Sequence, residues 1–348
     1  MHRRELLRTG LGCGGAFLLA SCTPTPLAQP PGGTSAAASA KPSLSKIRLL
    51  FDVTADPTFI PDFITFDRLK DQFGIEVDRQ QISGADISIK SLVAGQVDVA
   101  LSSLASGILA VGQGQTIKAV APEGSAPYFT LVVTQDIKDW TDLPGRSIGI
   151  TATSDGSYWT TVLQLKKNGI DPAAINWVTV RGTPARVDAM RAGKIDAAQL
   201  QIGGALNLLQ DPKFRRLAEI GKDFPNVLFS AFWASDAFIR DHPDVLTLLA
   251  TGEMQSHRDV QSKSTYMPAA KKVLGDNMDE ATISTAYDIV KGMNIWDPNE
   301  ARWNAEAGDF TARTLAEFGA VEKNVPFKEW ATTQFVDAAR QKLGPYTG

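Results

Sequence analysis

Ala94-Gly95-Gln96-Val97-Asp98-Val99-Ala100 returns 98 residues later as Ala192-Gly193-Lys194-Ile195-Asp196-Ala197-Ala198. Each copy reads as a helix end, a glycine free to take positive φ and close the helix, and a buried strand opening on an aspartate. Each follows a helical stretch (Ile89–Val93; Val187–Arg191) and leads into polar residues and a further helix. One such turn is common, but its recurrence in equivalent surroundings implies two similar α/β lobes. Around the first copy, strands are expected at 47–53, 75–82, 97–101 and 116–121, with helices at 61–73, 85–94 and 102–111. Around the second, strands are expected at 147–151, 176–180 and 195–200, with helices at 156–168, 183–192 and 203–209. From Pro243 the pattern is helical almost throughout, over 243–263, 266–274, 280–291, 299–318 and 327–343. Strand–helix–strand alternation with short turns implies right-handed crossovers and largely parallel sheets.

The chain's 348 residues suffice for roughly two domains. A net charge of −3 and a pI near 5.7 argue against nucleic acid as a partner, which requires a basic footprint. The two cysteines, Cys13 and Cys22, both precede the body of the chain and exclude a disulfide scaffold. Arg3-Arg4 followed by apolar residues from Leu11 to Ala20 reads as a signal peptide over 1–21, too short to span a bilayer. Leu19-Ala20-Ser21-Cys22 resembles a bacterial lipobox, which implies a lipidated Cys22. Arg3-Arg4 with Leu6-Leu7 resembles a twin-arginine export signal. Cleavage before Cys22 removes Arg3, Arg4, Arg8 and Glu5, takes the net charge from −3 to −5, and leaves no thiol but Cys22. Residues 22–46 then form a flexible Pro/Ala/Ser/Gly tether. His242 and His257 are too few and too isolated for a metal site, so neither metal nor cofactor is expected.

Ligands of open α/β sheets lie beyond the carboxyl ends of the strands. Four loops should converge there: one with Asp52 and Asp56, one with Ser102 and Ser103, one with Ser154, Gly156, Ser157 and Tyr158, and one with Gln199 and Gln201. Ordinary helix capping accounts for any one alone; four polar strand ends in two lobes point to a ligand site. Trp233, with Tyr158, Trp159 and Phe51, offers aromatic surface for a planar or cationic group. The serines suit an anion, whereas Asp52, Asp56 and Asp155 oppose one. Arg181 or Arg186 could compensate, although Arg186 falls mid-helix, a position more often on the surface.

The stretch 47–264 resembles the periplasmic substrate-binding proteins of ABC importers in the nitrate/sulfonate/taurine and thiamine-pyrimidine-precursor group. The residues carrying the resemblance are Ser91–Ala100 with Ser102-Ser103, Asp142–Ile150 (DLPGRSIGI), Asn168–Pro172 and Ala185–Ala197. The resemblance implies a type II periplasmic-binding-protein fold, α/β, with mixed sheets flanked by helices and a ligand cleft between two lobes. Lobe one is placed at 47–131 and 235–348 and lobe two at 132–234, with crossovers near Leu131–Thr134 and Trp233–Ser235. It further implies a monomeric, extracytoplasmic lipoprotein that captures a small organic ligand and delivers it to ABC permease and ATPase subunits. A planar or polar nitrogenous ligand is expected, with a sulfonate or nitrate-type anion as competitor. Catalysis is not expected: relatives that make the thiamine pyrimidine use a Cys/His-rich motif absent here. A regulator would carry a helix-turn-helix where this chain carries the lipobox and tether. A binding component of a sensory system is the remaining alternative.

Overall fold

A computed structural model of the chain describes residues 41–348 apart from 52–54, 83 and 276. The signal segment, Cys22, most of the tether and Asp52 lie outside the described residues. The first α/β run is β1 (Lys46–Phe51), α1 (Ile60–Phe73), β2 (Glu76–Gln81), α2 (Ala85–Val93), β3 (Val99–Ser103), α3 (Leu104–Gly112) and β4 (Ile117–Gly124). The second is β5 (Thr130–Thr134), β6 (Ser147–Ile150), α4 (Gly156–Lys167), β7 (Asn176–Thr179), α5 (Thr183–Arg191), β8 (Ala197–Leu200), α6 (Ile202–Leu209), β9 (Phe214–Glu219) and α7 (Ile220–Asp223). β10 (Ser230–Ser235) follows, then α8 (Asp236–Asp241), α9 (Pro243–Asp259), α10 (Lys263–Leu274), α11 (Glu280–Gly292), α12 (Ala305–Glu317), α13 (Phe327–Trp330) and α14 (Gln334–Leu343).

The repeat does the same structural work twice. Gly95 and Gly193 take φ of +68° and +65°, the left-handed geometry that closes α2 and α5. The aspartate that follows ties down the neighbouring strand: Asp98 Oδ2 accepts from the Arg48 amide at 2.7 Å, and Asp196 Oδ2 from the Ser147 amide at 2.8 Å. β1 and β6 are thereby fixed beside β3 and β8.

Among the described residues the strands form two five-stranded sheets, ordered β2-β1-β3-β10-β4 and β7-β6-β8-β5-β9. β1 pairs in parallel with β2 and β3, and β6 with β7 and β8; β10 and β5 run antiparallel to both of their neighbours. The sheets are therefore mixed, each largely parallel with one antiparallel strand inserted second from an edge. The chain passes between sheets over 125–129 and 220–229, a few residues before the expected crossovers at Leu131–Thr134 and Trp233–Ser235, which are strand residues paired inside β5 and β10. Both passages meet in an aromatic knot. The Tyr128 and Phe229 rings are 4.6 Å apart, and Phe129 and Trp159 each stand 5.4 Å from Phe229.

β5 shows why the second sheet is buried on both faces: Leu131 and Val133 join one apolar cluster with Leu165 and Ile175, while Val132 joins another with Val187, Met190 and Leu208. The first sheet packs against α1, α9 and α14 in a single larger core. Two helical expectations shift for local reasons. α12 begins at Ala305, not near 299, because the Asn304 side chain caps it by accepting from the Ala307 amide at 3.0 Å. The expected helix at 327–343 splits into α13 and α14, because Ala331 is extended and bridges to Ala119 of β4. Among the described residues no helix is long and apolar enough to cross a membrane.

Candidate functional site

Five helices begin at one cavity between the two sheets. Gly84, Ser103, Asp155, Gly182 and Gln201 are the N-cap residues of α2, α3, α4, α5 and α6, and all five line it. Gly84 and Gly182 are 98 residues apart and both have positive φ, +136° and +83°. An N-terminus leaves backbone N–H groups unsatisfied and carries a partial positive charge, so this convergence builds a positive potential without a surface of lysines. Tyr128, Phe129 and Phe229 from the aromatic knot form an apolar wall, and Thr151, Thr183 and Ser230 add hydroxyls. The cavity volume is about 40 Å³. It adjoins a larger one of about 590 Å³, sharing Thr183 and Gln201 and bounded by Asp56, Asn207 and Met278.

Arg186 supplies the only full positive charge among the described residues of the smaller cavity's lining. It is 2% exposed, not the surface residue expected, because α5 turns it inward under Gly149. Nε donates to the Gln199 carbonyl at 3.1 Å, Nη1 to Thr151 Oγ1 at 2.7 Å and to the Val180 carbonyl at 3.2 Å, and Nη2 to Thr183 Oγ1 at 3.2 Å. All these acceptors are neutral, and they occupy four of the five guanidinium protons. Burial lowers its pKa to about 10, opposed by the Asp155 charge, so it stays cationic at neutral pH.

Two expected carboxylates are already engaged. Asp155 Oδ1 accepts from the Ser157 amide and hydroxyl, both at 3.0 Å, and its Oδ2 accepts from the Ala85 amide of α2 at 3.1 Å. Asp56 Oδ1 accepts from the Thr58 amide at 3.1 Å and hydroxyl at 2.9 Å, and its Oδ2 from the Gly203 amide of α6 at 2.8 Å. Each aspartate thus caps a turn after its own sheet and clasps a helix that follows a strand of the other. Burial raises the Asp56 pKa against those hydrogen bonds. Ser106 Oγ donating to the Ser154 carbonyl at 2.5 Å, and Lys166 Nζ to the Phe318 carbonyl at 2.7 Å, also join α4 and the loop before it to the part of the chain built on the first sheet.

Of the expected ligand residues, Ser103, Gly156 and Gln201 line the smaller cavity, and Asp56 and Gln201 the larger. Gly156 is needed for close packing, since a Cβ there would stand 3.0 Å from Phe229. Asp52 lies outside the described residues, and the remaining ones line neither cavity. Ser102 Oγ donates to the Ala85 carbonyl at 3.2 Å, and Ser157 Oγ is spent on Asp155 and on the Thr151 amide. Gln199 Nε2 donates to Gln164 Oε1 at 2.5 Å. Ser154 faces a surface groove between α2 and α3. Tyr158 stacks edge-on against Trp177 with ring centres 4.8 Å apart. Trp233 is wholly buried on the far side of β10, its Nε1 donating to the Ser102 carbonyl at 3.3 Å. Sequence reasoning missed Gly84, Tyr128, Phe129, Thr151, Gly182, Thr183, Phe229 and Ser230. Carrying the repeat ten residues toward the N-terminus would have reached both glycines. Among the described residues no group of three His, Cys, Asp or Glu side chains is arranged to hold a metal ion.

Residues 71–257 match the family model described as NMT1/THI5 like. No curated protein sequence matches the chain. Among solved structures, a protein from Bordetella bronchiseptica RB50 superposes with a TM-score of 0.75 at 18% identity, covering 87% of this chain and 99% of its own. The alkanesulfonate-binding protein SsuA from Xanthomonas axonopodis pv. citri, bound to MOPS, gives 0.68 at 15% identity over 83% and 99%. The periplasmic nitrate-binding protein NrtA from Synechocystis PCC 6803 gives 0.70 at 12% identity over 87% and 90%. At these identities the likeness is one of fold, that of the periplasmic binding proteins.

Proposed function

This chain belongs to the NMT1/THI5-like family, and we propose that it is an extracytoplasmic solute-binding protein that closes on a small ligand bearing an anionic group and delivers it to an ABC importer permease. The observation that carries this reading is Arg186, a buried guanidinium bonded to neutral oxygens in a cavity where five helices begin. A buried cation is costly unless compensated, and an anion in the cavity would compensate both it and the helix ends. Of the two ligand classes expected, the anionic one therefore fits better, and two of the structural neighbours are named for sulfonate and nitrate binding. The smaller cavity suits the charged head and the larger one an organic remainder. The protein's task is binding: contacts made to both lobes at once favour the closed form, whose surface a permease recognises. A lipid on Cys22 and the tether at 22–46 would hold this monomer at the membrane.

A thermal-shift panel of nitrate, alkanesulfonates, carboxylates, pyrimidines and amines tests the ligand class. Anions are expected to stabilise the protein. Arg186→Gln is expected to weaken the best of them about 10- to 100-fold, the worth of a charged hydrogen bond of about 1.5–3 kcal/mol. Stabilisation by pyrimidines or amines alone would replace the anion with a nitrogenous ligand. For the anchor, Cys22→Ala is expected to move the protein from the membrane fraction to the soluble one; unchanged partition refutes lipidation.

A further inference from the structure

Glu123 is a bulge residue. Ser230 of β10 pairs with Gly124 and Ala231 with Pro122, so Glu123 is the extra residue of β4 between them. Bulges beside binding sites re-aim a side chain, and this one sends a carboxyl into the interior directly behind the cavity wall. Ser230 Oγ donates to Glu123 Oε2, and the Tyr128 hydroxyl favours the ionised form of the same carboxyl. Ser230 and Tyr128 both line the cavity, while Glu123 does not. A hydroxyl has one proton. While the carboxylate holds it, Ser230 turns only lone pairs toward the cleft, which an anion opposes. A neutral Glu123 reverses the Ser230 bond: its own O–H donates to Ser230 Oγ, and the serine proton swings to the ligand.

We propose, resting on the anion reading above, that Glu123 is a positioning residue that couples ligand capture to the uptake of one proton. The cleft presents the Ser230 donor to an anion when Glu123 is protonated and an acceptor when it is ionised. The surroundings fit a group that changes charge near neutrality. Burial raises the Glu123 pKa to about 7, against the Ser230 bond, the His257 charge and the Tyr128 hydroxyl and with the Glu300 charge. Behind it, His257 of α9 bonds Glu300 through Nδ1; burial alone would lower its pKa, but Glu300, Glu253 and Glu123 raise it to about 9. Glu253 of α9 is raised to about 8 and Asp62 of α1 well above the carboxylate range, both by burial first, and Arg79 of β2 faces Asp62. Glu123 is the member of this cluster that touches the cavity wall.

The test measures the dissociation constants of nitrate and ethanesulfonate from pH 5.5 to 8.5, together with the ¹³C carboxyl resonance of Glu123 assigned through Glu123→Gln. Wild type is expected to bind roughly tenfold more weakly per pH unit above 7. Glu123→Gln, whose amide donates to Ser230 permanently, is expected to keep the low-pH affinity throughout. Ser230→Ala, which removes the swinging proton, flattens the profile at the weaker level and supplies the same test without altering Glu123. Matching profiles in wild type and both variants overturn the coupling. If neither anion binds at any pH, the anion reading has failed, and the resonance decides the coupling separately. Titration near pH 7 with a midpoint raised by Ser230→Ala sustains it; a resonance flat over that range, or unmoved by the substitution, overturns it.

Discussion

A methyl group on Gly107 of α3 would overlap the ring of Trp233, so only a glycine there lets α3 lie so close to β10 with the indole packed between them. Gly107→Ala is expected to cost about 1–3 kcal/mol through overpacking and to lower the urea midpoint without changing the slope; an unchanged midpoint would mean the indole has room to move. Which face of a strand a residue occupies was the hardest thing to read at this scale. Trp233 and Ser230 lie on one strand three residues apart, one packed against Trp330 and the other lining the cavity. Nothing local in Ser-Ala-Phe-Trp-Ala-Ser distinguishes them, because every residue but the last is buried. Arg186 was misplaced for a related reason: mid-helix cations are usually solvated, and only the tertiary oxygens of Thr151, Val180 and Gln199 make its burial possible.

Helices and strands of the repeat were legible because hydrophobic period and glycine caps are local signals. β5, β9 and β10 were not, since their identity as strands depends on partners far along the chain. The clasps between elements also depend on distant partners. Asp56 holds the start of α6 and Asp155 the start of α2, each reaching across the cleft to backbone amides that have no helical acceptor. Charge-assisted bonds of this kind are stronger than neutral ones. Asp56→Asn keeps the shape and removes the charge; it is expected to weaken ligand affinity about 3- to 10-fold, roughly 1 kcal/mol, by favouring the open form. Calorimetry and the radius of gyration from solution scattering check this together, and a variant that matches wild type in both would show that the clasp contributes nothing to closure. Asp56 is the better position to test, because it lies outside the smaller cavity, which Asp155 and Arg186 both line.

Across the whole molecule, the buried cluster of Asp62, Glu123, Glu253, His257 and Glu300 sets how stability responds to pH. Every one of these pKa values is raised on folding, with Glu123 near 7, Glu253 near 8 and His257 near 9. The folded state therefore binds more protons than the unfolded chain, whose carboxylates titrate near 4 and histidine near 6.5. The stabilisation is complete at the acid end and is lost as pH rises through 7 to 9. The melting temperature is expected to fall steadily between pH 5 and 9, and Glu253→Gln to flatten the upper part of that fall; a maximum near pH 8 would contradict the protonation assigned to the cluster. The two-sheet α/β plan was readable from one repeated heptapeptide. This cluster was not, because its members are scattered from Asp62 to Glu300.

β10 has a consequence for how the protein is made. Its partners β3 and β4 leave the ribosome about a hundred residues before it does, and each keeps an unpaired edge until Ser230–Ser235 slides antiparallel between them. The first sheet is therefore completed last, by a pairing of high sequence separation that loop-closure entropy makes slow. A nascent or prematurely terminated chain ending before Ser230 would carry two open edges and no C-terminal helices to cover them. Such a chain is prone to aggregate, and premature termination late in the message would be as damaging as termination early.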